Sequence, residues 1–392
     1  MRGELASARE RSRKDLVLSV LETRRATLDL CSGLSAEDMV VQSMPDASPT
    51  KWHLAHTTWF FERFVLAALG FSPVRADADW LFNSYYEAVG ARHPRPKRGL
   101  LTRPSLDEVM AYRRAVDARI GDLVAHPRLA EVEAALLLGK HHEEQHQELV
   151  VADVLHLFSE NALFPALRPG GAEPRPRRPS SWRSVAGGVH EIGATGETFA
   201  FDNEMPRHKV FLEPFAIATR LVTCGEYAAF VDDGGYDRAE LWMSEGWAWA
   251  KATARRAPLY WQPDGKVFGV HGLAPRDENA PVQHVTWFEA DAYARWAGAR
   301  LPTEAEREVA DAEAADVGEG WEWTASAYSA YPGFRPLEGA FGEYNGKFMV
   351  GQMVLRGASP ATPPGHARAT YRNFFPPHTA WQLTGIRLAR NP

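Results

Sequence analysis

The chain has 392 residues, 44 basic against 50 acidic side chains, and a formal net charge of −6. Its 45% hydrophobic and 24% charged content matches an ordinary globular protein and excludes a largely disordered one. The acidic balance offers no general surface for nucleic acid, and two cysteines, Cys31 and Cys224, exclude a disulfide framework or a cysteine-rich metal site.

The N-terminal stretch MRGELASARERSRKD is basic, but no apolar region follows it, so a cytoplasmic location without a secretory signal is expected. A first helix is predicted over Arg13 to Cys31 from the spacing of Leu16, Val20, Leu21, Leu28 and Leu30. A second runs from a cap at Ser48 or Thr50, with Pro49 in its first turn, to about Leu69. The apolar run Phe64 to Phe71 is far shorter than the roughly 18 residues of a membrane span, so no membrane partner is expected. Ser105 opens a third helix through Val109, Tyr112 and Val116, and a fourth is predicted from about Leu129 to Phe158. Four such helices indicate a bundle.

Pro165 to Pro179 (PALRPGGAEPRPRRP) is too rich in proline and glycine to continue a helix and reads as a linker. The expected division is therefore a bundle over 1–164, a linker over 165–180 and a second domain over 181–392. Beyond the linker, His208 to Phe215 and Gly351 to Arg356 alternate like short strands. Short helices are predicted at Thr223 to Val231 and Trp287 to Trp296, and Thr303 with Glu306 forms a capping box for another. The second domain is mixed, loop-rich α+β, so the fold class is a two-domain α+β protein.

With few cysteines and 14 histidines, a metal here must be held by His and carboxylate. Lys140 to Glu148 reads KHHEEQHQE. At about 100° per residue, His142 and His146 lie about 40° apart and one turn along, so both imidazoles can reach one metal. Leu138, Leu149 and Asp153 share their face, which turns the pair inward. Glu148 lies about 240° from His142 and is badly placed as a ligand. The same residues spell H-E-x-x-H, with Glu143 as the base of a zinc protease, but no convincing third ligand follows downstream. A better one lies upstream in KWHLAHTTWFF (Lys51 to Phe61): His56 shares a face with Trp52, Phe60 and Arg63, whereas His53 falls about 60° off that stripe. Three imidazoles suit zinc, and they also suit iron(II) with open positions.

W-H-L-A-H followed by H-x3-H-x-E resembles the DinB-like bundle of the ergothioneine-pathway sulfoxide synthases (EgtB-like). The resemblance extends through FNSYYEAVGARHPRPKRGLL (Phe82 to Leu101). In the second half, FAFDNEMPRHKVFLEPF, RLVTCGEY, RLPTEAE, EYNGKF and TYRNFFPP resemble a formylglycine-generating-enzyme-like, C-type-lectin-like domain. The resemblance implies a non-haem Fe(II) enzyme that uses dioxygen to join a thiol, cysteine or γ-glutamylcysteine, to imidazole C2 of Nα-trimethylhistidine (hercynine), giving a sulfoxide. It implies His56, His142 and His146 as iron ligands and Gln145 beside the hercynine imidazole. Tyr85 or Tyr86 would act as proton donor, a role suited to a phenol that stays protonated at neutral pH.

Arg95 and Arg98, in the basic run RHPRPKR, match the region that holds the thiol carboxylate, where a bidentate guanidinium fits. Asn373, Phe374 and Phe375 match the segment that holds hercynine, with an aromatic face for its quaternary ammonium. Ala380 stands where the family often has arginine, so that contact is missing. The second half has no cysteine after Cys224, which argues against formylglycine-generating chemistry. A selenoneine synthase using a selenosugar donor is a close relative, and the basic loop favours the thiol. A non-catalytic metal- and thiol-binding scaffold is the alternative of another class. The sequence does not set an oligomeric state.

Overall fold

The structure, a computed structural model, describes residues 2–171, 173–311 and 318–392. It divides into two compact units, Met1–Glu160 and Asn161–Pro392.

The first unit is built on α1 (Arg2–Cys31), α2 (Thr50–Phe61), α3 (Ala78–Phe82), α4 (Leu106–Asp122) and α5 (Glu133–Ser159). Helix α1 packs on α4 and α5, and α2 packs on the same two, so the four long helices close into a bundle. Every residue of α2 is buried, which is why it shows no polar stripe in the sequence. Its predicted extension to Leu69 is present but changes type, to a π turn over Glu62–Leu66 and a 3-10 turn over Ala67–Leu69. Gly70 ends the run at φ +89°, where a side chain would be strained.

The predicted cap of α2 differs. Pro49 occupies the N-cap and no side chain caps the helix; the Ser48 backbone N–H is instead bonded to Asp153. Ser105 does cap α4, in a reciprocal box with Glu108.

Helices α2 and α5 approach closely at Gly139, where a Cβ would come within 2.6 Å of the Phe61 ring. A polar network ties the bundle together deeper in. Glu143 of α5 receives Arg24 of α1 and Arg113 of α4, and Thr27 donates to it at 2.8 Å. Burial alone would raise the Glu143 pKa, but the two guanidiniums overrule it and hold the carboxylate ionised.

The second unit carries β1 (Trp182–Val185), β2 (Gly188–Ile192), β3 (His208–Leu212), β4 (Phe215–Ala218), α6 (Cys224–Asp232), α7 (Ser244–Thr253), β5 (Lys266–Gly269) and β6 (Gly272–Pro275). It continues through α8 (Trp287–Trp296), α9 (Glu304–Asp311), β7 (Gly320–Ala327), β8 (Met353–Ala358), β9 (Asn373–Phe375), β10 (Thr384–Gly385) and β11 (Ala389–Arg390). One sheet has the order β1-β4-β11 and another β10-β7-β8-β9; β2 pairs with β3 and β5 with β6. Only the β10–β7 pairing is parallel among those described.

Leu212, Phe215, Ile217 and Ala310 form a buried cluster joining strands to α9. Thr223, Thr286 and Thr303 each stand three residues before a glutamate that closes a capping box. These caps explain why three of the short helices were legible despite their length; α7, with Met243 at its N-cap and no side-chain cap bond, was not.

The Pro/Gly-rich segment belongs to the second unit, and the unit boundary falls at Glu160/Asn161, before the expected 164/165. Arg168 N–H donates to the Val270 carbonyl, and Arg175 N–H to Asp277. No helix among the described residues is long and apolar enough to cross a membrane.

Candidate metal centre

Helix α2 supplies His56 and α5 supplies His142 and His146. One ring nitrogen from each lies within 4.8 Å of the other two, and all three side chains are buried. The i, i+4 pair on α5 meets the histidine of α2 because Gly139, less than one turn before His142, lets the two helices approach. Nε2 of His56 is 3.1 Å from Nε2 of His142. Burial holds His142 down at about 3 and both His56 and His146 well below the usual imidazole range, so the cluster is neutral at neutral pH. Neutral imidazole is the form that binds a metal.

The hydrogen bonds around the cluster fix tautomers. Nδ1 of His56 lies 2.6 Å from the Phe82 carbonyl, which can only accept, so Nδ1 carries the proton and Nε2 keeps its lone pair. Asp153 Oδ2 lies 3.1 Å from His53 Nε2, and His53 Nδ1 lies 2.8 Å from His146 Nδ1. With the carboxylate accepting a hydrogen bond from Nε2–H of a neutral His53, His53 Nδ1 is an acceptor. His146 then donates from Nδ1 and keeps the Nε2 lone pair. The donor set therefore fits a metal that takes nitrogen ligands.

His53, expected to lie off the ligand stripe, is thus a partner of His146 and not a member of the triad. Asp153 was legible as a residue on the His142 face; its pairing with His53 was not, because that contact joins two helices. Glu143, the base of the protease reading, is fully buried in its pairs with Arg24 and Arg113 and has no freedom to serve a substrate.

An aromatic wall surrounds the cluster. Trp52 stacks on His56 at 4.6 Å and 10°, Trp59 stacks on its ring at 5.5 Å, and Phe60 lies 4.5 Å from His142. Tyr86 is fully buried and packs on Trp59 and Phe64, while half-buried Tyr85 packs on Tyr86 at 4.7 Å. Asn83 fixes this turn by accepting from the Tyr86 N–H and donating to its carbonyl. Gln145 is half-buried on α5.

The two arginines of the basic run separate. Arg95 is exposed and donates to the Asp46 carbonyl. Arg98 is buried, with its guanidinium 3.3 Å from the Trp52 ring centre, Nη1 donating to Ser48 at 2.9 Å and Nη2 to Ser84 at 3.3 Å. Among the described residues its Nε has no hydrogen-bond partner, and burial pulls its pKa below the ordinary guanidinium range. No carboxylate among the described residues ion-pairs with it.

In the second unit, Asn373, Phe374 and Phe375 form β9 and are half-buried. The Phe374 ring stacks on Tyr328 at 4.0 Å and 10°, Phe375 packs edge-on to Trp381 at 5.9 Å, and Asn373 Oδ1 accepts from the Phe374 N–H. Ala380 is buried. Cys31 and Cys224 are both buried, and burial raises both thiols to about 12, so neither is a poised nucleophile.

Residues 20–161 match the DinB superfamily and residues 169–317 the sulfatase-modifying factor enzyme 1-like domain. A hercynine oxygenase of Mycolicibacterium thermoresistibile is 34% identical over 437 residues, spanning 96% of this chain and 95% of that protein. One of Mycolicibacterium smegmatis is 32% identical over 447 residues, covering 97% and 99% respectively. A formylglycine-generating enzyme of Streptomyces coelicolor is 39% identical over 160 residues, covering 37% of this chain and 51% of that protein.

Proposed function

The chain belongs to the family of hercynine oxygenases, and from that premise we propose that it is an Fe(II)- and dioxygen-dependent enzyme joining a thiol to hercynine. The observation that carries this reading is the buried, neutral cluster of His56, His142 and His146, two of whose Nε2 lone pairs are set by hydrogen bonds at Nδ1. In the overall reaction the thiol S–H and the imidazole C2–H break and a C2–S bond forms. One oxygen atom enters the sulfoxide and the other leaves as water, so two substrates supply the four electrons that dioxygen takes. Iron(II) on the three imidazoles would supply dioxygen activation, with the remaining positions open to ligands.

The residues around the cluster have their own tasks. Trp52, Trp59 and Phe60 exclude water from the imidazoles. A buried phenol with its proton is suited to donate it during reduction of dioxygen, which is the role proposed for one of Tyr85 and Tyr86. Arg98, buried beside Trp52 without a carboxylate partner, is suited to bind the carboxylate of an amino-acid or dipeptide thiol. Arg95, exposed, is the weaker candidate for a second contact. Gln145 is proposed to contact the hercynine imidazole. Asn373 is proposed to contact the hercynine carboxylate, and Phe374 or Phe375 its quaternary ammonium.

Dioxygen uptake by the full chain loaded anaerobically with Fe(II) tests the reading, using hercynine with cysteine, γ-glutamylcysteine or a selenosugar. Consumption with a thiol and a product mass equal to hercynine plus thiol plus one oxygen, less two hydrogens, is expected. A product only with the selenosugar would move the chain to selenoneine synthesis. No uptake with any donor would leave a binding scaffold.

A further inference from the structure

We propose that His53 and Asp153 are positioning residues for the metal centre: together they hold His146 as an Nδ1–H donor, so that its Nε2 lone pair is committed to the metal. The inference rests on the three-histidine reading above and adds two residues to it.

The chain of contacts is continuous. Asp153 Oδ2 accepts from the Ser48 backbone N–H at 2.8 Å and contacts His53 Nε2 at 3.1 Å. A carboxylate oxygen can only accept, so the contact puts a proton on His53 Nε2, and a neutral imidazole then has none left for Nδ1. His53 Nδ1 is left as an acceptor facing His146 Nδ1 at 2.8 Å, so His146 places its proton there. Relative exposures of 3% for His53 and 7% for Asp153 leave little water to substitute for either partner. The support also has its own anchor, since Arg98 Nη1 holds the Ser48 hydroxyl at 2.9 Å.

Remove the acceptor and His146 faces a choice. Its Nδ1–H is buried without a partner, or its proton moves to Nε2, where an incoming metal must displace it. Either raises the free energy of the loaded state. A carboxylate behind a ligand imidazole also raises the basicity of the donor nitrogen, and losing such a support typically weakens metal binding about 10- to 100-fold. Here a second imidazole stands between carboxylate and ligand, so the effect passes through His53. His56 reaches the same end by a simpler route, its Nδ1 proton held by the Phe82 carbonyl.

The test is anaerobic titration of the full-length apo-protein with Co(II) alone, a spectroscopic probe of the same ligands, for wild type, His53→Leu, His53→Gln and Asp153→Asn. His53→Leu should weaken binding about 10- to 100-fold and shift the Co(II) visible bands. His53→Gln, whose side-chain carbonyl can accept the same proton, should restore most of the affinity. Asp153→Asn should fall between wild type and His53→Leu.

Nitrogen-15 spectra of the zinc-loaded wild type should show His146 protonated at Nδ1. Melting temperatures separate this role from simple packing, because a packing residue would lower them without moving affinity or bands. Folded His53→Leu and Asp153→Asn proteins within about twofold of wild-type affinity would overturn the proposal. If His53→Leu does not fold, an unchanged Asp153→Asn overturns it on its own, and a weakened one supports it. Wild type that binds no Co(II) would instead sink the metal reading itself.

Discussion

Glu143 follows His142 in the chain, yet the two side chains serve different structures: His142 joins His56 in the histidine cluster, and Glu143 joins Arg113 inside the bundle. One step of about 100° on α5 separates the chemistry of the site from the frame that carries it.

Glu143→Gln should therefore act on stability and not on a proteolytic activity. Removing the charge leaves Arg24 and Arg113 buried beside a neutral amide, and breaking a buried pair of this kind costs about 3–5 kcal/mol. Urea denaturation should show the loss, and a peptidase assay of the wild type should be negative.

Gly139→Ala probes the approach of α2 to α5. The added methyl would meet the Phe61 ring at 2.6 Å and the Phe60 ring at 3.1 Å, and both rings are buried. Overpacking at such a site costs about 1–3 kcal/mol. Because Phe60 also touches His142, metal affinity should fall together with the melting temperature.

For the tyrosine pair, Tyr85→Phe and Tyr86→Phe should differ. Loss of a general acid lowers turnover about 10²- to 10⁴-fold. One variant should show that loss with iron content unchanged, and the other should stay near wild type. Steady-state rates measured beside anaerobic metal analysis decide between them. His142→Ala, as the control, should lose most of its iron.

Acid should weaken the second unit through Glu322. Burial would raise its pKa, but Arg307 and Arg387 hold it at about 2, below the ordinary 4.5. A depressed carboxylate contributes stability that is present above about pH 4.5 and is lost as the pH falls toward about 2. Denaturant midpoints should drop across that window in the wild type. Glu322→Gln should start lower and vary less with pH.

Much of this was legible in the sequence where the signal is local. The i, i+4 spacing of His142 and His146, the three Thr-x-x-Glu boxes and the apolar period of α1 and α4 all depend on neighbours along one chain segment. Helix α2 hid its type change at Glu62–Leu66, because a fully buried helix has no polar face to mark where the turn widens. His53 lies off the His56 stripe, so the helical wheel of α2 gives no sign of its role. Its partner comes from a different helix, and no spacing rule within α2 reports that. Arg98 was legible as a basic side chain but not as a buried one, since nothing local to RHPRPKR shows that its guanidinium lies on Trp52.

The hydrogen-bonding partners described for His56 and His146, namely Phe82, His53 and Asp153 behind it, are drawn from the first unit, as are Trp52, Trp59 and Phe60 against His56 and His142. A metal held by the three imidazoles would take all three of those ligands from residues before Asn161.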